Sequence, residues 1–371
     1  MASHASDLLE PDSPGVRRCW NQGWDDDLEE LYSVIHTSGA SHAVIQFNFG
    51  FFDLAAFGRL LDRLRHDGVA CYVTLHSTMD VTHPGRHISL GQIRDSLGRA
   101  TRLLVHGVAD LNRLKDHGLV DNVTLLPHGV ECRDPLTAPA VDGPPESPEL
   151  DLLRTDPLQQ ALDGLHASGK RVIACFGYLL PNKGLPALIE AFLLLRRHRH
   201  DLHLLMLTAL YPVADSQAEA ERCRSLIEGA QATGCITQIT DYLPDRQAQA
   251  LLGNADLIVY PYQRTQESAS GAVRFGLAAR RPVACTPLPI FDDVGPIVHR
   301  LPGTDADQIA AGIDALLGDP ERLDSHAALQ DAWLENHAWP ALSRRLWNMM
   351  QAPPILDLLE QTPPGADHEQ A

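Results

Sequence analysis

Short apolar runs alternate with amphipathic segments along most of the chain. In the first third, the runs at 43–47, 71–75 and 102–105 have the length and apolar character of buried strands, and the segments between them carry apolar residues at helical spacing. A second series of the same kind begins at Val172 and continues to Cys285. Among the helices that these patterns predict are single helices over 88–97, 245–252 and 321–335. Strands that alternate with helices predict parallel sheets with right-handed crossovers, so we expect two doubly wound, Rossmann-like α/β domains.

The distribution of proline places the domain boundaries. Six prolines lie among acidic and small residues between 134 and 168, which is the composition of a linker. We therefore expect an N-terminal domain at 1–133 and a C-terminal domain at 169–335. A last amphipathic helix is expected at 336–352, and a mobile, Pro-rich tail at 353–371.

Composition excludes several classes of function. The 371 residues carry a formal net charge of -18, which argues against nucleic-acid binding because such proteins usually present a basic face. Seven cysteines without a CxxC pair indicate reduced thiols in the cytoplasm. The histidines lack zinc-ligand spacing, so no metal site is predicted, and no apolar run reaches the ~20 residues of a membrane span. The basic run at 196–200 suits either a solvated helix end, which we favour, or a peripheral contact with acidic lipids.

The stretch from Val172 to Leu195 carries the strongest chemical signal. An apolar strand leads into a turn-rich loop that ends in Lys183 and Gly184, and a helix-forming segment follows from Pro186. The chain has only three lysines, and this one is delivered to a helix N-terminus, where free N–H groups and the helix dipole favour an anion. The sequence therefore predicts a phosphate site at Lys183. The loop lacks the G-x-x-x-x-G-K-[ST] pattern, so nucleotide hydrolysis is not implied.

A second polar loop follows the strand that ends at Tyr260. It contains Glu267, Ser268, Ser270 and Gly271 and opens a helix. Small residues there would let a ligand approach the backbone. A serine that caps the first helical turn explains the same residues equally well.

Taken in order, these motifs resemble the donor domain of retaining GT-B glycosyltransferases of family 4 (glycosyl transferases group 1). The resemblance rests on the strand–loop–helix unit, on two later strand ends and on an A-x-A-x-G-x-P-V-like segment: Gly177, Tyr178, Lys183, Gly184, Asp241–Pro244, Ala255–Pro261, Glu267 and Gly276–Val283. In the first half, the strand that ends at His76 and the VTLLPHGV segment resemble the acceptor domain. The His337-x-Trp339 pair resembles the closing helices, which in that family cross back to the first domain.

The resemblance implies two domains that face each other across a cleft, and transfer of a hexose from a nucleotide-diphosphate sugar to a polysaccharide or glycolipid acceptor with retention. No cofactor or metal is implied. His76, Lys183 and Glu267 would be the catalytic residues. The donor would be bound by Gly177, Tyr178, Gly184, Tyr242, Leu243, Ser268, Ala269, Ser270, Gly271 and Arg274. We expect a cytoplasmic enzyme, with a peripheral position at the inner membrane face as an option for a lipid-linked acceptor.

Three departures from the family pattern keep other functions open. Tyr178 replaces an arginine beside the diphosphate, and Phe275 replaces a glutamate that holds the ribose, with Arg274 as a candidate substitute. The first strand–helix–strand of the acceptor domain has no counterpart, which should leave unpaired strand edges or require a partner chain to complete the domain. The alternatives are a non-catalytic module that binds a sugar nucleotide or a partner, and a nucleotide-sugar epimerase on the same fold.

Overall fold

The computed structural model describes residues 1–4, 12–23, 25–83, 86–132, 157–265 and 267–352. Contacts divide the chain into two compact units, one made of Met1–Pro127 with Leu342–Ala371 and the other of His128–Ala341. The first boundary therefore falls a few residues before the predicted end of the N-terminal domain at 133. Most of the predicted linker, 134–168, and all of the predicted tail, 353–371, lie outside the described residues.

The first unit is built on a parallel sheet in the order β1-β2-β5-β6, with a separate short hairpin β3-β4. Its strands are β1 (His42–Phe47), β2 (Ala70–Leu75), β3 (Val81–His83), β4 (Arg86–Ile88), β5 (Arg102–Val105) and β6 (Val123–Leu125). Its helices are α1 (Glu29–Ser38), α2 (Leu54–His66), α3 (Arg94–Gly98) and α4 (Val108–Asp116).

Strand β1 is an edge strand of this sheet. It pairs in parallel with β2, and within the described ranges no strand pairs with its other side. Val44 in the middle of β1 is 41% exposed, whereas the residues of β2 from Cys71 to Leu75 are buried. Strand β1 therefore presents an unpaired edge among the described residues.

The second unit is a larger parallel sheet in the order β9-β8-β7-β10-β11-β12. Its strands are β7 (Arg171–Tyr178), β8 (Leu202–Ala209), β9 (Ile236–Ile239), β10 (Leu257–Tyr260), β11 (Val283–Cys285) and β12 (His299–Arg300). Its helices are α5 (Pro157–Ala167), α6 (Leu185–Leu195), α7 (Ala214–Gly229), α8 (Asp245–Leu252), α9 (Gly271–Ala278), α10 (Ala306–Leu317), α11 (Pro320–Asp324) and α12 (Ala327–His337). A final helix, α13 (Trp339–Gln351), is divided between the two units at Leu342.

The strand order places the first and fourth strands of the second unit side by side. In a doubly wound sheet this is where the chain reverses its direction of winding, and ligands bind beyond the carboxyl ends of those strands. Strands β7 and β8 are long and almost continuously apolar, as expected for parallel strands covered on both faces. Helix α6 covers one face with Leu188, Ile189 and Phe192, all fully buried. A rigid sheet therefore carries the loops after β7 and β10.

Three sequence predictions fail locally. The end of the predicted linker is helix α5, whose Leu162 is buried in the second core. A single helix predicted over 88–97 is instead the end of β4, a 3₁₀ turn capped by Ser89, and the short α3. A single helix predicted over 321–335 is broken into α11 and α12.

The basic run after α6 is largely engaged within the protein. Arg196 donates to the His200 carbonyl, while Arg199 and His198 pair with Asp314 of α10. These contacts fit the interpretation as a capped, solvated helix end. No helix within the described ranges combines the length and apolar character needed to cross a membrane.

Candidate functional site in the second unit

The loop after β7 is pressed against the chain that follows β10. Gly184 has φ 72°, and a Cβ built there would overlap the carbonyl oxygen of Pro261. The N–H of Gln263 donates to the Asn182 carbonyl at 3.0 Å, which joins the two loops directly. Only glycine satisfies both the left-handed backbone and this close approach.

Lys183 is held inside this junction by contacts from the β10 loop. Its Nζ lies 4.2 Å from the ring centroid of Tyr262 and 3.3 Å from Oε2 of Glu267. The Lys183 side chain is 13% exposed, whereas that of Glu267 is 53% exposed. Burial alone would lower the lysine pKa, but the electrostatic attraction of Tyr262 and Glu267 and the hydrogen bonds to them outweigh it, and the pKa of Lys183 is raised. The ammonium group is therefore charged at physiological pH.

Helix α9 begins at the same junction. Ser270 is its N-cap and accepts a hydrogen bond from the Val273 N–H at 3.2 Å. The Ser270 hydroxyl also lies 3.1 Å from the Tyr262 hydroxyl, so the cap is tied to the residue under Lys183. The capping interpretation left open by the sequence thus holds for Ser270. The same helix start adds N–H groups and a positive dipole end beside Lys183.

These elements enclose a cavity of about 330 Å³, within the range of small-molecule sites. Nine of the predicted site residues line it: Gly177, Tyr178, Lys183, Tyr242, Leu243, Glu267, Ala269, Ser270 and Gly271. Gly184 lies behind the wall, where it permits the loop contact, and Ser268 is outside the lining. The structure therefore brings together, around one cavity, most of the site residues that were predicted from the strand ends.

The cavity has an aromatic floor that sequence reasoning missed. The rings of Phe176 and Phe275 stack with their centroids 4.2 Å apart and an angle of 10° between their planes. Both residues line the cavity, as do Asp241 and Asp245 at the mouth. The signal was present in part, because Phe176 ends the apolar run of β7 and Asp241 follows β9. The contact between Phe176 and Phe275 depends on which residue of α9 faces the cavity, and the sequence does not show this.

Arg274 does not line this cavity. Its side chain is 1% exposed and forms an ion pair with Asp293. Its Nε donates to the His128 carbonyl at 3.1 Å, and another guanidinium nitrogen donates to the Ser270 carbonyl at 2.9 Å. Burial lowers the pKa of Arg274 and raises that of Asp293, each opposed by the attraction of the other. This position gives Arg274 a structural role and no contact with the cavity, contrary to the expectation that it replaces the ribose-binding glutamate.

His76 belongs to the first unit, at the carboxyl end of β2. Its Nε2 lies 2.7 Å from Oε1 of Gln46, and its Nδ1 lies 3.3 Å from Nε2 of His106. Burial, together with the neighbouring His106, lowers the pKa of His76 to about 4. The imidazole is therefore neutral at physiological pH, and it is held by its neighbours at a strand end.

Across the described residues, no cluster of three or more histidine, cysteine, aspartate or glutamate side chains is grouped as a metal site would require. Of the charged groups that line the cavity, Lys183 is a cation, whereas Glu267, Asp241 and Asp245 are acidic. Among the described residues that line the cavity, positive charge therefore comes from Lys183 and from the start of α9.

The class of fold follows from comparison with solved structures. A glycosyltransferase from Rickettsia africae aligns with a TM-score of 0.66 at 14% identity, covering 88% of this chain and 81% of its own. Anabaena HepE in complex with UDP aligns at 0.64 and 12%, covering 86% and 81%. A UDP-forming trehalose-phosphate synthase from Burkholderia xenovorans in complex with glucose-6-phosphate aligns at 0.65 and 13%, covering 87% and 76%. The chain has the GT-B fold.

A more specific match lies within the second unit. Residues 170–319 match the family model "Glycosyl transferases group 1". This segment contains β7, the Lys183 loop, the Glu267 loop and all residues that line the cavity. A comparison with curated proteins gives no match.

Proposed function

We propose that this protein is a retaining glycosyltransferase of family 4. It transfers a hexose from a nucleotide-diphosphate sugar to a polysaccharide or glycolipid acceptor in the cytoplasm. The observation that carries the proposal is the junction of the β7 and β10 loops, where Lys183, Glu267 and the start of α9 surround one cavity. The match of residues 170–319 to a glycosyltransferase family supports the same assignment.

Some residues of the site act on the phosphates of the donor, and others bind its sugar or its nucleoside. Lys183 and the N–H groups at the start of α9 neutralise the diphosphate and the charge that develops on it as the sugar leaves. This electrostatic stabilisation needs no metal ion. Glu267, which is exposed at the mouth beside Lys183, accepts hydrogen bonds from hydroxyls of the donor sugar. The stacked pair Phe176 and Phe275 supplies an apolar surface for the nucleoside.

A screen of thermal stability across UDP-, GDP- and ADP-sugars tests the donor assignment. A ligand that binds the folded state should raise the melting temperature by an amount that grows with its concentration. The stabilising donor is then incubated with glycan and lipid-linked acceptors, and the anomeric configuration of the product is read by NMR. Absence of stabilisation by every nucleotide sugar would refute the donor assignment, and an inverted product would refute retention.

The same incubation without an acceptor tests the epimerase alternative. A transferase leaves the donor sugar unchanged or hydrolyses it slowly, whereas an epimerase converts it to its isomer. Tyr178 and Phe275, which replace charged residues of the family pattern, favour a second alternative in which the protein binds a sugar nucleotide without transferring the sugar. Tight donor binding without transfer to any acceptor would support that alternative.

The role of His76 gives a prediction that is independent of Lys183. His76→Ala should leave the donor dissociation constant unchanged and lower the transfer rate by about tenfold to a hundredfold, as for the loss of a group that acts mainly on the reacting hydroxyl. Donor binding is measured by calorimetry and transfer by steady-state kinetics. His87→Ala, which alters another exposed histidine of the first unit, serves as the control. A donor affinity that falls as far as the rate would show that His76 binds the donor instead.

A further inference from the structure

The cavity of the second unit is electrostatically asymmetric. Lys183 and the start of α9 supply positive charge where the β7 and β10 loops meet. On the β9 side, the charged groups that line the cavity within the described ranges are Asp241 and Asp245. In the sheet order β9-β8-β7-β10, strands β9 and β10 are three strand spacings apart, roughly 14 Å. A ligand that spans the cavity therefore meets a cation toward one end and carboxylates toward the other.

Regular structure holds the backbone at both carboxylates. The hydrogen bonding between β8 and β9 continues past the strands, because the N–H of Leu210 donates to the carbonyl of Thr240 at 2.9 Å. Asp241 follows directly. Asp245 is the first residue of α8, three positions before Ala248, which is buried and also lines the cavity. Residues three apart share one face of a helix, so Asp245 lies on the cavity side of α8.

The chemistry of this side suits neutral hydroxyl groups. In the part of the chain that the structure describes, no side-chain hydrogen bond or ion pair engages Asp241 or Asp245. An ionised carboxylate accepts hydrogen bonds and donates none, and it repels a phosphate. A ligand group that carries O–H donors and no negative charge therefore fits the β9 side, whereas a phosphate fits the Lys183 side.

The other contacts of the cavity decide which hydroxyls these are. Under the proposed function, the diphosphate lies at Lys183, and Glu267 beside it takes the donor sugar. The sugar and the nucleoside are attached to opposite ends of the diphosphate. With the sugar at Glu267, the nucleoside lies over Phe176 and Phe275, and its ribose faces the β9 side. This aromatic floor offers apolar surface but no hydrogen-bond acceptor, so the ribose hydroxyls need acceptors from another wall.

We propose that Asp241 and Asp245 accept hydrogen bonds from the 2′- and 3′-hydroxyls of the donor's ribose. Since the ribose belongs to a nucleotide donor, this assignment rests on the proposed function. Both aspartates are exposed to solvent, which weakens such bonds. We therefore expect the two hydroxyls together to change the affinity about tenfold, the lower end of the range for a hydrogen bond to a charged group.

The test compares UDP with 2′,3′-dideoxy-UDP by calorimetry, first in EDTA and then with Mg²⁺. The two ligands carry the same charge, so the ratio of their dissociation constants reports the hydroxyls and cancels the repulsion between an aspartate and a phosphate. The wild type should bind UDP about tenfold more tightly than the dideoxy compound. Asp241→Ala and Asp245→Ala should each reduce this ratio to about threefold, and the double variant should bring it within about twofold of one. If the stability screen selects another base, the matching pair of nucleotides is used.

Asp307→Ala is the matched control. It removes the exposed first-turn aspartate of α10, which lies outside the cavity lining, just as Asp245→Ala removes the first-turn aspartate of α8. The control should keep the wild-type ratio. A change in the ratio for the control as large as for Asp245→Ala would show that the effect comes from the net charge of the protein, and the assignment would be wrong.

The remaining outcomes separate this assignment from the proposed function. A wild-type ratio near one, or a ratio that the double variant leaves unchanged, would overturn the assignment, while binding of UDP would still support the proposed function. Equal gains in affinity for both ligands would show that the aspartates act by repulsion alone. Equal losses that appear only with Mg²⁺ would show that they hold a metal ion instead. If no nucleotide binds, the proposed function fails and the assignment fails with it.

Discussion

Removal of the Lys183 ammonium group is the most direct test of the site, because this side chain is the cation that lines the cavity. Its Nζ lies over the Tyr262 ring, 4.2 Å from the centroid, and contacts Glu267 at 3.3 Å. Lys183→Ala removes both the charge and the stem. Lys183→Met removes the charge but keeps an unbranched apolar side chain. Comparison of the two variants separates the electrostatic contribution from packing.

The expected magnitude follows from the geometry. A hydrogen bond to a charged partner contributes about 1.5–3 kcal/mol, which corresponds to roughly a 10- to 150-fold change in affinity. Glu267 would then face the diphosphate without its counter-ion, but it is half-exposed, and solvent limits this repulsion to less than about 1 kcal/mol. We therefore expect Lys183→Ala to weaken nucleoside-diphosphate binding by one to two orders of magnitude, with Lys183→Met close to it.

Binding is measured by calorimetry with UDP and with the best nucleotide sugar, at the same salt concentration throughout because exposed charges are screened. Lys115→Ala, which removes the same charge from the exposed surface of α4, is the matched control and should not alter affinity. Since the pKa of Lys183 is raised, its contribution should be constant across neutral pH and be lost only as the pH rises above ~10.5 through the folded-state pKa. A folded Lys183→Ala protein with unchanged affinity would refute the site.

Other substitutions test how the site is built. Gly184→Ala should lower the free energy of unfolding by about 2–4 kcal/mol through strain and overlap with the next loop, whereas Gly169→Ala, with φ 77° in open space, should cost only about 1–2 kcal/mol. Equal costs in urea unfolding would show that the close approach does not matter. Phe176→Ala and Phe275→Ala should be coupled by about 0.5–1.5 kcal/mol in a double-mutant cycle, and strictly additive effects would contradict the stack. Arg274→Met should destabilise the protein by about 3–5 kcal/mol, because it leaves a buried carboxylate unpaired. Unchanged stability with lost UDP affinity would instead return Arg274 to the donor site.

The sequence predicts the scaffold of the second unit well because its signals are local. Helix α8 has the predicted bounds, as does strand β5 in the first unit, and the strand–loop–helix around Lys183 differs by two residues at most. Short apolar runs that are bounded by glycine or proline predict strands that are buried on both faces of a sheet. The failures occur where local pattern is ambiguous. The segment 88–97 has helical spacing, but Ser89 caps a 3₁₀ turn, and a hairpin takes its first residue.

The site itself shows where local reasoning ends. Arg274 and Phe275 are adjacent on α9 and point about 100° apart, and of the two it is Phe275 that lines the cavity. Charge made Arg274 the better candidate for a nucleotide, yet its partner Asp293 lies 19 residues along the chain and draws the guanidinium into the core. Phe275 instead packs against Phe176. This contact joins α9 to β7, which are far apart in the sequence, so local patterns do not predict it. At position 275, the glutamate of the family pattern, whose carboxylate would bind hydroxyls, is thus replaced by a phenylalanine that forms part of the aromatic floor of the cavity. Under the proposed function, we therefore expect a nucleotide in this cavity to gain more from stacking and from Lys183 than from hydrogen bonds to its ribose.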